Sequence, residues 1–315
     1  MSRRSRMSTG KKIFWIIFSV VVGIVIIGLG VGAKVYFDIS GSVKQTYEAV
    51  DRTKSEKPRE QAVNLEKQEP FSVLLLGVDT GDLGRTEQGR SDTLMVATIN
   101  PRKQTTTLVS IPRDTYLEIV GHGTEDKVNH AYAFGGPAMA MDTVEKYLDI
   151  PIDHYVSINM MGIKELVDAV GGVDVNNDLE FTSRGEHYDF GPIHLEGDRA
   201  LTFLRMRYED PRGDYGRQLR QRSVVEAIAK KALSLSGVTQ YQAILDTMEG
   251  NMRTDMSFGD MQKLALNYRD SFTKIDSLQM QGEGFMQDGI SYQRVDESEL
   301  AHIQSVLKEQ LNIRE

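Results

Sequence analysis

The sequence predicts an α/β fold: an α-β-α sandwich with a central mixed sheet flanked by helices, preceded by one N-terminal transmembrane helix. Three observations carry this reading. Short, continuous apolar runs stop at Gly or Asp, as strands buried on both faces do. Amphipathic segments of helical period interleave with them, and no hinge segment divides the series. Finally, positions 13–33 hold 21 residues without a charge, bracketed by Lys12 and Lys34.

In chain order, the uncharged stretch comes first. As a helix it spans about 31 Å, the thickness of a bilayer hydrocarbon core. Trp15 and Tyr36 stand near its ends, where interfacial aromatics are favoured. Residues 1–12 carry Arg3, Arg4, Arg6, Lys11 and Lys12 and no acid, which places the N-terminus in the cytoplasm and the rest outside. A cleaved signal peptide is the rival reading, since Val31-Gly32-Ala33 resembles a cleavage site. Signal-peptide apolar cores run only ~7–15 residues, however, which favours the uncleaved anchor. Residues 34–69 are charge-dense, with breaks at Pro58 and Pro70, and read as an extracellular stem: a spacer without chemistry.

The domain then occupies 70–315. Phe71 to Asp79, Leu94 to Ile99 and Thr106 to Ile111 read as central strands. Pro137 to Leu148 reads as a helix with proline in its first turn. A strand at His154 to Ile158 and a helix from Met161 that stops at Gly171-Gly172 come next. Asp198–Arg207 and Arg217–Leu233 read as helices around a loop. Ser257 with Asp260 forms a capping box ahead of another helix. Strands at Ile275–Met280 and Ile290–Val295 and a helix at Glu297–Leu311 complete the chain.

Composition narrows function. There are 37 Lys+Arg against 45 Asp+Glu, a net charge of −8. With +5 in the tail, −13 remains for the other residues, which argues against a nucleic-acid-binding body. The chain has no cysteine, which excludes disulfides, thiolate zinc sites and a cysteine nucleophile. An exported domain without cysteine leans toward a single-membrane, thick-walled cell.

Against the acidic background, residues 205–222 hold six arginines, three acids and no lysine. Rigid guanidinium forks suit bidentate binding of phosphate or carboxylate. A solvated helix face is the plainer reading. Arg205 and Arg207, two residues apart, fit no i,i+4 ion-pair ladder, and the Gly213–Gly216 turn suggests backbone approaching a ligand. Asp79 and Arg113 follow strands whose carboxyl ends could share one crevice, although Asp79 alone reads equally as a turn residue. The residues thus point to an anionic, phosphate-bearing ligand, with a divalent cation held by Asp.

Six ordered motifs now stand out: Leu74-Leu-Leu-Gly-Val-Asp79, Arg90-Ser-Asp92-Thr, Ser110-Ile-Pro-Arg113-Asp-Thr115, Lys127-Val-Asn-His130 through Gly136, Val170-Gly-Gly-Val173 and Leu201–Gln221. Behind a membrane anchor, this series strongly resembles the LytR-CpsA-Psr family, densely so over 70–235. The resemblance implies a Gram-positive cell-membrane protein whose catalytic domain faces outward. Its implied activity is a phosphotransferase that moves an anionic glycopolymer, of teichoic acid or capsular polysaccharide type, from undecaprenyl pyrophosphate to peptidoglycan. The implied acceptor is the C6 hydroxyl of N-acetylmuramic acid, and the implied cofactor is Mg²⁺ or Mn²⁺.

By motif, Asp79 and Asp92 would bind the metal. Arg90, Arg113, Arg205, Arg207 and Arg217 would hold the pyrophosphate, with Asp214 and Gln221 orienting the arginines or the leaving phosphate. Asp92 is the candidate base, and Arg85 competes with Arg90 as a phosphate contact. The resemblance also implies an apolar lipid cleft, for which Met139, Met141, Met160, Met161 and Leu166 are candidates alongside ordinary core packing. A non-catalytic wall-polymer binding protein and a regulatory membrane protein are the alternatives.

Overall fold

The computed structural model describes residues 45–52, 61–79, 89–234 and 250–313, with positions 41, 59 and 244. The expected tail at 1–12, the membrane helix at 13–33 and Arg85 lie outside the described residues. Among the described residues no helix is long and apolar enough to cross a membrane.

The core is a six-stranded mixed sheet. β1 (Phe71–Val78) and β2 (Ser91–Asn100) form a hairpin, and β3 (Thr105–Ile111) extends it antiparallel. One short antiparallel ribbon, of strands β4 (Tyr116–Ile119) and β5 (Thr124–Lys127), leads into helix α1 (His130–Leu148). β6 (His154–Asn159) then returns parallel to β1, and α2 (Met160–Ala169) follows. β7 (Val173–Asn177), β8 (Phe181–Ser183), β9 (Glu186–Tyr188) and β10 (Gly191–Leu195) make two small hairpins. Helices α3 (Gly197–Arg205) and α4 (Asp214–Ser234) come next. β11 (Met252–Thr254) joins the sheet edge beside β6, followed by α5 (Phe258–Asn267). β12 (Lys274–Gln279) closes the other edge parallel to β3, giving the order β11-β6-β1-β2-β3-β12. The β13 (Gly282–Gln287) and β14 (Ile290–Val295) hairpin and α6 (Glu297–Gln310) end the fold.

The continuous apolar runs divide by strand alternation. Leu74, Leu76, Val78, Leu94, Val96, Val109 and Ile111 pack on one side against Met141, Val144 and Leu148 of α1 and Ile303 and Leu307 of α6. Phe71, Val73, Met95, Ala97, Ile99 and Leu108 face the opposite layer, where Val225 of α4, Leu264 of α5 and Tyr268 lie. A third cluster joins α2, α3 and α4 to the small hairpins through Val167, Tyr188, Phe203 and Val224.

Several boundaries differ from the sequence reading. α1 starts at His130, seven residues before Pro137, because two helical pieces meet at a kink where Gly136 takes φ 64. Pro137 opens the second piece, where its missing N–H costs nothing. α3 stops at Arg205, so Arg207 stands in the following loop and not on the helix. The stem is more than a spacer: Glu48 N–H donates to the Thr254 carbonyl at 2.8 Å. Arg52 also lies against Asp142 and Glu145 of α1, at 2.5 and 2.9 Å. Met141 is buried in the α1–sheet core with Met139 packed against it, and Met161 is exposed. The apolar cleft described below therefore takes only Met160 and Leu166 of the five expected residues.

Candidate active site

β1 and β3 run the same way, so Asp79 and Arg113 emerge at one end of the sheet, where open α/β sheets bind ligands. Asp79 closes the β1–β2 mouth: its Oδ1 accepts the Arg90 N–H at 2.7 Å, and its own N–H donates to the Arg90 carbonyl at 3.2 Å. The Arg90 side chain is exposed. Next to them the register slips. Gly77 opposes Thr93 and Val78 opposes Ser91, leaving Asp92 as the extra residue of a β-bulge. Bulges re-aim side chains, and this one directs Asp92 to Arg113 Nη1 at 2.7 Å.

Arg113 is the hub. Its Nε lies 3.7 Å from Asp114, whose other oxygen accepts from Lys127 Nζ at 2.8 Å. Lys127, Asp114, Arg113 and Asp92 thus form one chain of alternating charge. Burial alone would lower the Arg113 pKa, but Asp92, Asp214 and Asp114 together hold it above its ordinary value. Residues 127–129 stitch this segment in place: Val128 N–H donates to the Thr115 carbonyl and Asn129 N–H to that of Arg113.

α4 supplies the facing wall. Asp214 in its first turn lies 2.6 Å from Arg217 Nη2 and accepts from Gln218 at 3.0 Å. The Arg217 pKa is lowered, first by burial and then by the neighbouring positive charges of Arg113 and Arg207, against the pull of Asp214 and Asp92. Arg207, in the loop before α4, has no carboxylate partner among the described residues. Arg205 is half-buried at the end of α3. The geometry therefore gathers Asp92, Arg113, Asp114, Arg207, Asp214 and Arg217, with the Asp79–Arg90 pair at the adjoining hairpin mouth.

What sets this cluster apart is incomplete pairing. Arg113 Nε, Arg217 Nε and Arg217 Nη2 are buried without a hydrogen bond; the Arg217–Asp214 approach has the distance of an ion pair without the alignment. Buried guanidinium donors are rarely left so, because each costs desolvation with no return. Converging orphaned donors fit an anion with several oxygens, such as a phosphate.

An apolar cleft abuts the cluster. It lies between β1, β2 and β6 on one side and α2 and α4 on the other, with Leu75, Met95, Val156, Ile163, Leu166 and Ile228 in its wall. Its polar side chains are Thr93 and Gln221. Thr93 follows Asp92, and Gln221 lies one helical turn beyond Arg217, with its Oε1 buried and unpartnered. The polar part of the wall is therefore the end next to the arginine cluster.

Asp79 and Asp92 could hold a cation. Among the described residues no three His, Asp or Glu side chains gather into a closed metal site. Two hard carboxylate donors fit Mg²⁺, which keeps water and substrate oxygens for most of its shell. Sequence reasoning gave no role to Lys127, Asn129 or Thr93; the Lys127 motif was visible, but nothing local says that it docks on Arg113.

Fold and site together define a mixed α/β protein with an arginine-rich cluster at the end of an apolar cleft. The chain belongs to the LytR_cpsA_psr family, whose model matches residues 35–309. Among its relatives is the polyisoprenyl-teichoic acid–peptidoglycan teichoic acid transferase TagU of Enterococcus faecalis, 59% identical over 308 residues, which are 98% of this chain and 100% of the relative. The crystal structure of B. subtilis TagU is 42% identical with a TM-score of 0.63, covering 77% of this chain and 97% of that one. The structure of TagT bound to LIIa-WTA is 30% identical with a TM-score of 0.70, covering 84% and 100%.

Proposed function

We propose that the protein is a phosphotransferase that moves an anionic glycopolymer, of teichoic acid type, from a polyprenyl pyrophosphate carrier to peptidoglycan. The acceptor is the C6 hydroxyl of N-acetylmuramic acid. Residues 13–33 anchor the chain in the cell membrane, with its N-terminus cytoplasmic and its domain outside. The observation that carries the reading is the junction of an apolar cleft with orphaned arginine donors, at Thr93 and Gln221. A lipid pyrophosphate has that same order of parts, an apolar chain ending in clustered negative charge. The names of the relatives support teichoic acid as the polymer and peptidoglycan as the acceptor; the choice of hydroxyl is part of the proposal.

Phosphoryl transfer spreads charge over the phosphate oxygens, so positioned cations supply most of the catalysis. Arg113 and Arg217 hold those oxygens through their unpaired N–H groups, Arg207 holds the phosphate from the loop before α4, and Arg90 and Arg205 add positive potential. Asp214 holds the Arg217 fork, and Gln221 marks the boundary between phosphate and lipid. Asp79 and Asp92 would hold Mg²⁺ or Mn²⁺, which neutralises pyrophosphate charge when bound. The muramic acid oxygen forms the new bond to phosphorus as the bond to the carrier phosphate breaks. Asp92 is the candidate to receive the hydroxyl proton, and the carrier leaves as polyprenyl phosphate.

Purified Arg113→Ala and Asp92→Ala variants should lose transfer of polymer from a lipid-pyrophosphate donor to peptidoglycan. Unchanged transfer by both would overturn the assignment. Tight polymer binding without turnover, with or without Mg²⁺, would favour a binding protein instead.

A further inference from the structure

The loop between α3 and α4, residues 206–213, carries the side chain Tyr208, which is 92% exposed. An exposed tyrosine on a loose loop would mean little. This loop is fastened from beneath. Asp210 is fully buried and is gripped by Arg220 Nη1 at 2.6 Å and Arg212 Nε at 2.9 Å. Arg212 is tied in turn to Asp178 on the neighbouring segment. Arg220 Nη2 also donates to the Met206 carbonyl at 2.6 Å, and Gly213 takes φ 59 to turn the chain back into α4. Gly216 makes room for the arrangement: a Cβ there would lie 1.8 Å from Asp210 Oδ2. The tyrosine at the apex is thus held out into solvent by a rigid base.

Its neighbour is a member of the anion cleft. The Arg207 guanidinium lies 5.8 Å from the Tyr208 ring centroid, in cation–π range, and its charge is felt at Arg217. An aromatic face presents negative potential to the weakly positive C–H groups of a saturated ring, and a pyranose offers a flat array of them. In a glycan pyrophosphate, the first sugar is bonded directly to the phosphate. A side chain next to an arginine that holds the phosphate is therefore within reach of that sugar.

We propose that Tyr208 is a sugar subsite: its ring stacks on the pyranose joined to the donor pyrophosphate while Arg207 holds the adjoining phosphate. This rests on the donor being a lipid-linked glycopolymer. It adds the part of the site that separates a glycan pyrophosphate from a bare lipid pyrophosphate.

The test measures binding of two probes to the detergent-solubilised full chain: geranylgeranyl pyrophosphate, and the same lipid pyrophosphate bearing one N-acetylhexosamine. Tyr208→Ala should weaken the sugar-bearing probe roughly 5- to 10-fold, in the range of one aromatic contact, and leave the sugar-free probe unchanged. Tyr208→Phe should recover most of the loss, since the ring and not the hydroxyl makes the contact. Equal weakening of both probes would overturn the proposal, because Tyr208 would then act through Arg207. Wild-type affinity for both would overturn it too. A rise confined to the KM for peptidoglycan would assign the ring to the acceptor instead. Should the wild-type chain transfer no polymer at all, the phosphotransferase reading fails, while the contrast between the two probes still decides the subsite.

Discussion

Arg217 and Arg220 stand three residues apart on α4, and their surroundings are opposite. Arg220 is 1% exposed and saturated: Nε donates to the Phe203 carbonyl, Nη1 to Asp210 and Nη2 to the Met206 carbonyl. Its guanidinium also lies 5.5 Å from the Phe181 ring centroid and 5.9 Å from that of Phe203. Arg217 is nearly as buried, yet its Nε and Nη2 lack hydrogen bonds, and Arg113 and Arg207 add like charge. A saturated buried cation is a strut. An unsaturated one, with Asp214 beside it but donors left unpaired, has hydrogen-bonding capacity to spare for a ligand.

That contrast can be broken at either end. The largest effect on stability is expected at the strut. Arg220→Ala leaves the buried Asp210 carboxylate short of a partner, at a cost of about 3–5 kcal/mol. Thermal unfolding should show Tm lower by roughly 6–20 °C. At the site the pattern reverses. Arg217→Ala should reduce polymer transfer by about 10²–10³-fold, as loss of a transition-state donor does. Its Tm should fall much less than that of Arg220→Ala, because Arg217 makes no aligned hydrogen bond through Nε or Nη2 and Gln218 still donates to Asp214. A large drop in Tm for Arg217→Ala with transfer intact would dissolve the distinction.

Acid sharpens it further. Burial alone would raise the Asp210 carboxyl, but hydrogen bonds from Arg212 and Arg220 hold it at about 2. An unfolded aspartate titrates near ~3.9, so the folded pKa is depressed. The resulting stability, on the order of 2 kcal/mol, is present above ~pH 4 and is lost as pH falls toward ~2. Urea unfolding across that window should show the loss in the wild type and not in Asp210→Asn. The smallest effect is expected at the periphery of the cleft. Lys127→Met removes a partly exposed ion pair to Asp114, worth about 1 kcal/mol, and should lower kcat roughly 5-fold through a less firmly held Arg113. Lys127→Arg should recover part of that rate.

Much of the fold was legible in the chain. β1 and β3 were readable because strands buried on both faces require unbroken apolar runs, and the capping box at Ser257 and Asp260 formed as its spacing implies. β4, β5, β7 and β13 were not readable. Their residues are short, mixed and half-exposed, and only tertiary partners give them register. The arginine island was conspicuous, yet composition treated its six members alike. Two of them, Arg212 and Arg220, serve Asp210, and Arg222 donates to Ser110 Oγ at 2.8 Å. Burial lowers the Arg222 pKa to about 10, Glu226 offsetting part of the fall. The end of α3 at Arg205, which frees Arg207 into the loop, has no local signal of comparable strength.

The sequence by itself determined the kind of chemistry: apolar runs enough for a sheet, arginine in place of lysine, and carboxylates at strand ends. These follow from residue type and near-neighbour spacing, which a linear chain displays directly. Tertiary structure alone decided which arginines are struts and which are open. The hydrogen-bond partners of Arg220 lie up to 17 residues away, and Arg113 meets the charge of Asp214 only because β3 and α4 fold together. Whether a buried donor is satisfied depends on what surrounds it in space, and that is set by packing.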